Sequence, residues 1–415
     1  MDQEKGLLEP CRVLDLTDEK GIFCGQILGD LGADVIKVEK PGGDPARRIG
    51  PFLNEEVDPQ KSLFWLAYSR NKRSITLNIE TEDGRRLFER LVKTADIVIE
   101  SFEPGYLDEI KLGYQELCQI KPSVILVSIS PFGQSGPYSH YKGSDITMAA
   151  MSGYMFLCGD PAEPPLRITF PQSYLHASAG AVTGAVMALY SQRVTGVGQH
   201  VDVSAQASLL WATEMATMAW DTDQLLMRRK GNLYGTPPAP PRRCSFRCAD
   251  GWVTCLLRAG KGAGASTRAL VAWMEEEGGA SDFMKTRDWE NFDTASTPKE
   301  DANRAFDEIE QFFCRFSKKK IYEEAVKRGI VAYVVFTVAD ISDDAQLKAR
   351  EYWMRMDYPE FQTSLTYPGF FAKISRPLRI QHRAPLIGEH NGDIYIGELG
   401  LSSEECAILK TRDVI

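Results

Sequence analysis

Histidine is scarce in this 415-residue chain, which has five in all, and long apolar runs are missing. The histidines have no metal-ligand spacing, and no G-x-S-x-G elbow or other catalytic signature accompanies them. The most apolar stretch, residues 177–190, is shorter than the roughly 20 residues that a bilayer crossing needs. These absences argue against a histidine-based metal site and against a membrane-spanning helix.

A secretory signal and a disulfide framework are missing as well. Residues 1–9 show no basic region followed by an apolar run, and the nine cysteines form no regular pattern, which is typical of reduced thiols in the cytoplasm. Cys244 and Cys248 are four residues apart, but no second pair completes a zinc set. The net charge of -9 disfavours nonspecific binding to nucleic acid or to anionic membranes. We therefore expect a soluble cytoplasmic protein without a metal.

The length and composition indicate a globular protein with more than one domain. A chain of 415 residues exceeds the size at which a single core keeps growing. Its apolar fraction of 43% and charged fraction of 25% are ordinary for a folded protein. The proline-rich residues 236–243 predict a linker. We expect a smaller unit after this linker.

Strand and helix signals alternate over the first 200 residues. Apolar runs at 97–100 and 124–128 are typical of buried parallel strands, and Thr81 caps a stretch with helical apolar spacing. Further strands are predicted at 12–16, 34–39, 74–77 and 199–203, and further helices at 21–31, 174–193 and 205–229. This alternation predicts an α/β fold with an open, doubly wound sheet.

Eight short motifs occur in order along the chain. They are VLDL at 13–16, LGDLGADVIKVE at 28–39, GDPAR at 43–47, NKRS at 71–74, PG at 104–105, PFGQSGP at 131–137, GVGQHVDVS at 196–204 and RAPLIGEH at 383–390. Together they resemble the family III CoA-transferases (the CaiB/BaiF group), which include the formyl-CoA and carnitine CoA-transferases. The resemblance covers nearly the whole chain.

The resemblance implies a fold and an assembly. It implies a Rossmann-like large domain over 1–220, a smaller α/β domain over 236–330 and a C-terminal return to the large domain over 331–415. It also implies two chains interlocked as a dimer, with each active site between the large domain of one chain and the small domain of the other.

The resemblance also implies a reaction, the transfer of CoA from an acyl-CoA to a free carboxylate. A catalytic aspartate attacks the thioester to give a mixed anhydride, and the CoA thiolate returns to form an aspartyl-CoA thioester. The acceptor acid then takes the CoA. Coenzyme A thioesters are the implied substrates, and no tightly bound cofactor is implied.

Tyr174 occupies the position of the family's nucleophilic aspartate when residues are counted back without a gap from Gly184. No Asp or Glu lies between Glu163 and Asp202. A phenol with an ordinary pKa of about 10 stays protonated at neutral pH, so it cannot replace a carboxylate in forming the anhydride. We therefore predict no catalytic nucleophile of the family's type in this chain.

Four cations are candidate contacts for CoA, although solvated surface positions explain them equally well. They are Lys40, Lys72, Arg73 and Lys142. Family members often place basic or small residues near CoA at positions where this chain has Glu80, Glu103 and Glu109. Carboxylates beside a phosphate-bearing ligand are repulsive. The resemblance thus leaves open whether this chain binds CoA.

Three hypotheses fit these departures. In the favoured one, the chain is the non-catalytic subunit of a heteromer whose homologous, Asp-bearing partner supplies the nucleophile. In the second, a self-sufficient homodimer uses another carboxylate, with Asp145 the nearest candidate, although that position is often acidic in the family and a structural role explains it better. In the third, the chain is a catalytically inactive relative that serves as a binding or scaffold protein.

Among heteromeric members, the chain resembles the aspartate-lacking subunit of a transferase that moves CoA from succinyl-CoA to benzylsuccinate in anaerobic toluene degradation. An aromatic dicarboxylate of this kind needs apolar walls and a cation for its distal carboxylate. Trp252, Phe246, Arg242 and Arg243 could supply them, although packing and surface solvation explain these residues more simply.

Overall fold

The computed structural model describes residues 6–235, 242–257, 264–289, 297–375, 378 and 382–415. The chain forms two compact units. The first comprises Met1–Met155, Arg167–Leu226 and Ala349–Ile415, and the second comprises Phe156–Leu166 and Met227–Lys348. Residues 236–241 of the predicted linker lie outside the described residues, and the predicted domain limits at 220, 236 and 330 stay predictions.

A six-stranded parallel sheet forms the centre of the first unit. Its strands are β1 (Arg12–Leu16), β2 (Asp34–Glu39), β3 (Lys72–Thr76), β4 (Ile97–Glu100), β5 (Ile125–Ser130) and β6 (His200–Ser204). Their order is β3-β2-β1-β4-β5-β6, so the strand order reverses at β1 as in a doubly wound fold. The predicted α/β class is therefore confirmed, because every described neighbouring pair in this sheet is parallel.

Helices cover the sheet on both faces, and its central strands β4 and β5 are largely apolar. Every residue of β4 and β5 is buried, as parallel strands packed between two helical layers require. The helices along this part of the chain are α1 (Ile22–Asp30), α2 (Leu63–Tyr68), α3 (Glu82–Val92), α4 (Tyr106–Glu109), α5 (Tyr114–Ile120), α6 (Asp145–Met151), α7 (Tyr154–Leu157), α8 (Ser173–Thr195), α9 (Ala205–Leu210) and α10 (Glu214–Asp223), with 3-10 turns at Pro45–Arg48, Leu53–Glu55 and Trp211–Thr213.

Helix α8 packs on the sheet through small residues. Ala177, Ala181 and Ala185 are fully buried, so the helix backbone approaches β5 closely. The helix ends at Gly196, which has a φ of 77° that favours glycine. The predicted helix at 174–193 is confirmed.

The predicted single helix at 205–229 is wrong. The chain there forms α9, a 3-10 turn and α10, and the last of these ends at Asp223. Gln224, the residue directly after α10, has a φ of 51°, a left-handed conformation that ends the helix. Apolar residues at helical spacing continue in the sequence after Gln224, but the backbone there is no longer helical.

A three-stranded antiparallel sheet and a helical layer form most of the second unit. The strands are β7 (Leu233–Tyr234), β8 (Arg242–Arg243), β9 (Ser245–Cys248), β10 (Gly251–Cys255) and β11 (Ala332–Val334), and the last three form the sheet in the order β11-β10-β9. The helices are α11 (Gly264–Glu276), α12 (Asp282–Thr286), α13 (Lys299–Phe313), α14 (Lys318–Arg328), α15 (Val338–Asp343) and α16 (Ala345–Ala349). Phe246, Trp273 and Phe313 are buried in the core between them.

The C-terminal part of the chain completes the first unit. It forms the hairpin β12 (Trp353–Tyr358) and β13 (Thr363–Pro368), a 3-10 turn (Pro359–Phe361), a π-helical turn (Gly392–Glu398) and α17 (Ser403–Thr411). The Tyr395 hydroxyl donates a hydrogen bond of 2.7 Å to the Thr76 carbonyl at the end of β3. Ile394 and Tyr395 are fully buried in the core beside β3, so this segment is part of the large unit.

Membrane-spanning helices and metal sites are features that the sequence argues against. No helix in the described part of the chain combines the length and apolar character that crossing a membrane requires. Within the same residues, no three His, Cys, Asp or Glu side chains are grouped so that they could hold a metal ion, and Cys244 and Cys248 belong to no such group.

Candidate active site

A cavity of about 650 Å³ lies in the first unit at the N-terminus of α8. Most of its wall is apolar, and aromatic rings form much of it. The aromatic side chains are Phe23, Phe64, Tyr68, Phe170 and Tyr174. They come from three separate segments of the chain, so no local pattern in the sequence could have grouped them. A cavity of this size and character is suited to a small organic ligand.

Tyr174 lines this cavity from the first turn of α8 and is 8% exposed. Its hydroxyl donates a hydrogen bond of 3.1 Å to the Gly143 carbonyl. Burial raises the pKa of the Tyr174 phenol well above its ordinary value, and the nearby carboxylates of Glu19 and Asp18 raise it further. The phenol therefore stays protonated at neutral pH and has no nucleophilic character there.

Asp145 also lines the cavity, and its carboxylate is engaged with the backbone of α8. Oδ1 accepts hydrogen bonds from the backbone amides of Gln172 at 2.7 Å and Ser173 at 2.9 Å. Oδ2 accepts from Arg167 at 3.3 Å. The carboxylate thus caps a helix whose own N-cap residue, Gln172, makes no capping bond with its side chain.

The charged rim of the cavity is predominantly acidic. Glu19 and Glu103 line it together with Lys20, whose ammonium is paired with Asp18. Burial raises the pKa of the Glu19 carboxyl, and the neighbouring Asp18 raises it further. Because Lys20 is already paired with Asp18, the described wall of the cavity offers little attraction to an anionic ligand.

Of the predicted CoA contacts, Lys40 lies at the surface beside Glu80. Their ammonium and carboxylate are 2.8 Å apart, and the same Glu80 oxygen accepts a 2.8 Å hydrogen bond from the Tyr106 hydroxyl. The hydrogen bonds from Lys40 and Tyr106 lower the pKa of Glu80, so it is ionised at neutral pH. Lys142 is exposed next to Gly143.

Lys72 is placed differently, with its side chain completely buried in the first unit. Its ammonium lies 2.8 Å from Asp15 and donates a 2.6 Å hydrogen bond to the Ile22 carbonyl. Lys37 shares this interior, 3.7 Å from Asp15 and 2.9 Å from Asp44. The structure thus balances the Lys72 charge inside the unit, where it holds β1, β2 and β3 together.

Arg73, the fourth predicted contact, is partly buried on β3. Its guanidinium donates to both oxygens of Asp34, at 2.9 Å and 2.7 Å, and to Glu398 at 2.5 Å. Two acids therefore surround it. The structure does not bring the four predicted cations together, and their roles in CoA binding stay predictions.

The residues considered for an acceptor acid lie in the second unit. Phe246 is fully buried in that unit's core, where it cannot form a ligand wall, and Arg243 is paired with Asp307 at 2.9 Å and with Glu310. Trp252 is 42% exposed, with the Arg247 guanidinium 5.3 Å from its ring centroid. Packing and ion pairing thus account for Phe246 and Arg243.

A comparison with protein families identifies the family of the chain. The profile of CoA-transferase family III matches residues 8–391. The chain belongs to CoA-transferase family III. Members of this family transfer CoA between carboxylic acids and use CoA thioesters as substrates, without a tightly bound cofactor.

Two relatives match almost the whole chain. The succinyl-CoA:(R)-benzylsuccinate CoA-transferase subunit BbsE of Thauera aromatica is 34% identical over 389 residues, which is 93% of this chain and 92% of the relative. The succinyl-CoA–D-citramalate CoA-transferase of Chloroflexus aurantiacus is 31% identical over 414 residues, 98% of each chain. These relatives share succinyl-CoA and differ in the acceptor acid.

The fold agrees with a solved structure of the same family. A CaiB/BaiF family protein from Brucella suis superimposes with a TM-score of 0.81 at 30% identity, covering 95% of this chain and all of that protein. The family fold predicted from the sequence motifs is therefore confirmed.

Proposed function

We propose that this chain is the non-catalytic subunit of a heteromeric family III CoA-transferase that moves CoA from succinyl-CoA to an aromatic dicarboxylate, benzylsuccinate. The observation that carries the proposal is Tyr174, a protonated phenol in the first turn of α8 where the family's aspartate is expected. No carboxylate follows it before Asp202. The nucleophile then comes from a homologous, Asp-bearing partner chain.

The position of Asp145 supports this proposal over a self-sufficient homodimer. Its carboxylate accepts three hydrogen bonds, two of them from the backbone at the start of α8. A nucleophile needs a free lone pair aimed at the thioester, whereas these contacts hold the carboxylate on the helix. A helix cap is the role that these contacts perform.

An exposed apolar surface on the first unit supports a partner chain. Met187, Tyr190 and Val194 lie on one face of α8 at helical spacing, and each is at least 67% exposed. Trp211 and Met215 on the following helical turns are 76% and 59% exposed. Apolar side chains grouped in this way are typical of protein interfaces, and we propose that the two subunits interlock here.

The choice of substrates rests on the relatives. The Thauera aromatica subunit is named for succinyl-CoA and (R)-benzylsuccinate, and it is similar to this chain over 93% of the length. Other relatives use citramalate or oxalate, so the acceptor is the part of the proposal that an assay has to establish. We place the reaction in the cytoplasm, where acyl-CoA donors are found.

Co-expression with the Asp-bearing homologue tests the proposal. Transfer of CoA from succinyl-CoA to benzylsuccinate is expected from the purified pair and from neither chain alone. Tyr174→Phe in this chain should leave the rate unchanged, and replacing the partner's nucleophilic aspartate with alanine should abolish it. Activity of this chain alone, lost on Asp145→Asn, would establish the homodimer instead.

The same experiment separates a scaffold from a subunit. A scaffold would form homodimers and leave the partner's rate and KM values unchanged when it is added. A contributing subunit is expected to change the KM for the acceptor or to be required for turnover. Assays with citramalate and oxalate as acceptors show whether benzylsuccinate is preferred.

A further inference from the structure

A second cavity of the first unit, of about 440 Å³, shares no lining residue with the cavity at Tyr174. Its polar lining residues come from β12, from the segment after the hairpin and from β3. They are Arg355, Asp357, His382, Arg383, Glu389, His390 and Lys72, and the Lys72 ammonium is already bonded to Asp15 and to the Ile22 carbonyl. We propose that this cavity binds a small oxyanion, a carboxylate or phosphate group, through Arg355, His382 and His390. The inference is independent of the proposed function.

The backbone of His390 is hydrogen-bonded to β3, an edge strand of the large sheet, and the backbone of His382 to Asn71, the residue before it. The His382 amide donates to the Asn71 side chain at 3.0 Å, and the Asn71 amide donates to the His382 carbonyl at 2.9 Å. The His390 amide donates to the Ser74 carbonyl at 2.9 Å. These bonds hold the backbone that carries the two imidazoles in place before a ligand binds.

The hydrogen bond at the His390 ring determines which nitrogen carries the proton. The Ser74 backbone amide donates to His390 Nδ1 at 3.2 Å, so Nδ1 is the acceptor and Nε2 carries the hydrogen in the neutral ring. Burial lowers the pKa of His390 below its ordinary value, which keeps the ring neutral at pH 7. A protonated Nε2 donates to an anion and does not ligate a metal.

The acids of this cavity are engaged by neighbouring groups. Arg383 donates to both oxygens of Glu389 at 2.9 Å, and the Leu386 amide donates to the same carboxylate at 2.8 Å. Asp357 accepts a hydrogen bond of 2.6 Å from Ser364. Arg383 also pairs with Glu360 at 2.9 Å, so its charge is shared between two acids. An incoming anion is therefore repelled by Asp357 and by the part of the Glu389 and Glu360 charge that Arg383 does not offset.

Arg355 carries a positive charge that is available to an anion. It is exposed on β12, and within the described residues its guanidinium has no ion pair or hydrogen bond; the same is true of the His382 ring. A guanidinium presents two parallel N–H donors that match two oxygens of a carboxylate or phosphate. Arg355 and the two imidazoles line the same cavity and thus offer donors to one oxyanion.

Calorimetric titration of the purified protein with inorganic phosphate and, separately, with succinate tests the proposal at constant ionic strength. At least one of the two anions is expected to bind saturably, and the arm that saturates at lower concentration identifies the preferred group. Arg355→Ala should weaken binding by about tenfold, as loss of a charged hydrogen-bond donor does. His382→Ala should weaken it as well.

Arg350→Ala is the matched control, because Arg350 is also exposed but does not line the cavity. It should leave the affinity unchanged. Both tested side chains are exposed, and circular dichroism checks that the variants fold. Absence of saturation with both anions, or an equal loss in Arg350→Ala and Arg355→Ala, would overturn the proposal.

Discussion

The carboxylate of Asp145 lies 2.9 Å from the backbone amide of Ser173, one residue before the tyrosine that lines the large cavity. This bond places the acidic group beside Tyr174 and engages it with the backbone of α8. The acid therefore stabilises the helix on which Tyr174 is carried, and this leads to a first prediction.

Asp145→Ala is expected to lower the free energy of unfolding by about 1–2 kcal/mol, because α8 loses the acceptor for two backbone amides. Urea denaturation of the purified protein measures this loss. Asp145→Asn retains one acceptor oxygen and should cost less. Exposed Asp343→Ala is the control, and an equally small effect of both alanine variants would contradict the capping role.

Glu80→Gln is expected to raise the affinity of this chain for CoA. The change removes the charge that pairs with Lys40 at 2.8 Å, so the ammonium becomes available to a phosphate group. Exposed ion pairs contribute up to about 1 kcal/mol, which corresponds to a gain of about fivefold or less. Titration with CoA measures it. Glu404→Gln, an exposed change on α17, should have no effect, and an equal gain there would indicate only the altered net charge.

Lys72→Met should destabilise the protein by about 3–5 kcal/mol, because it leaves the completely buried Asp15 without its 2.8 Å partner. Thermal or urea unfolding measures the loss. Lys40→Met, which removes a lysine that is 57% exposed, should cost less than about 1 kcal/mol. Similar losses in the two variants would show that the interior pair is not a major contributor.

Glu100 makes the stability of the first unit dependent on pH. Burial raises the pKa of this carboxyl from 4.5 to about 7, although hydrogen bonds from Ser128 and the Phe102 amide oppose the change. The folded state binds the proton more tightly, so its contribution is fully present below pH 4.5 and is lost as pH rises through 7. The loss is on the order of 3 kcal/mol.

Glu100→Gln tests this dependence. Urea unfolding at pH 5 and pH 8 should show that the variant gains stability relative to the wild type as pH rises, because the amide carries no charge to bury. Glu404→Gln should follow the wild type at both values. A constant difference between Glu100→Gln and the wild type across this range would show that Glu100 does not titrate near neutrality.

The sequence predicted the central sheet because most of its strands contain apolar runs. β1, β2 and β4 have the predicted limits, since apolar runs between polar turns mark buried parallel strands directly. The capping of α3 by Thr81 is also confirmed. These features depend on neighbours in the chain.

Contacts between distant segments could not be predicted in the same way. The pairing of His390 with Ser74 joins residues 316 positions apart, and the burial of Lys72 against Asp15 joins residues 57 apart. From the sequence Lys72 is expected to be a surface charge, but in the fold it is buried, because Asp15 from another strand pairs with it. Phe246, considered as a ligand wall, is a core residue for the same reason: alternation along β9 does not say which face meets the helices.

The C-terminal segment that completes the large unit also sets an order of events during synthesis. Ile394 and Tyr395 belong to the core beside β3, yet they follow the whole second unit in the chain. A growing polypeptide on the ribosome therefore exposes the edge of β3 until residues 382–395 have emerged. The second unit is complete once Lys348 is translated, so it can fold earlier. The N-terminal part of the first unit completes its core only after the C-terminal segment has been made. During synthesis this part is therefore the one exposed to aggregation.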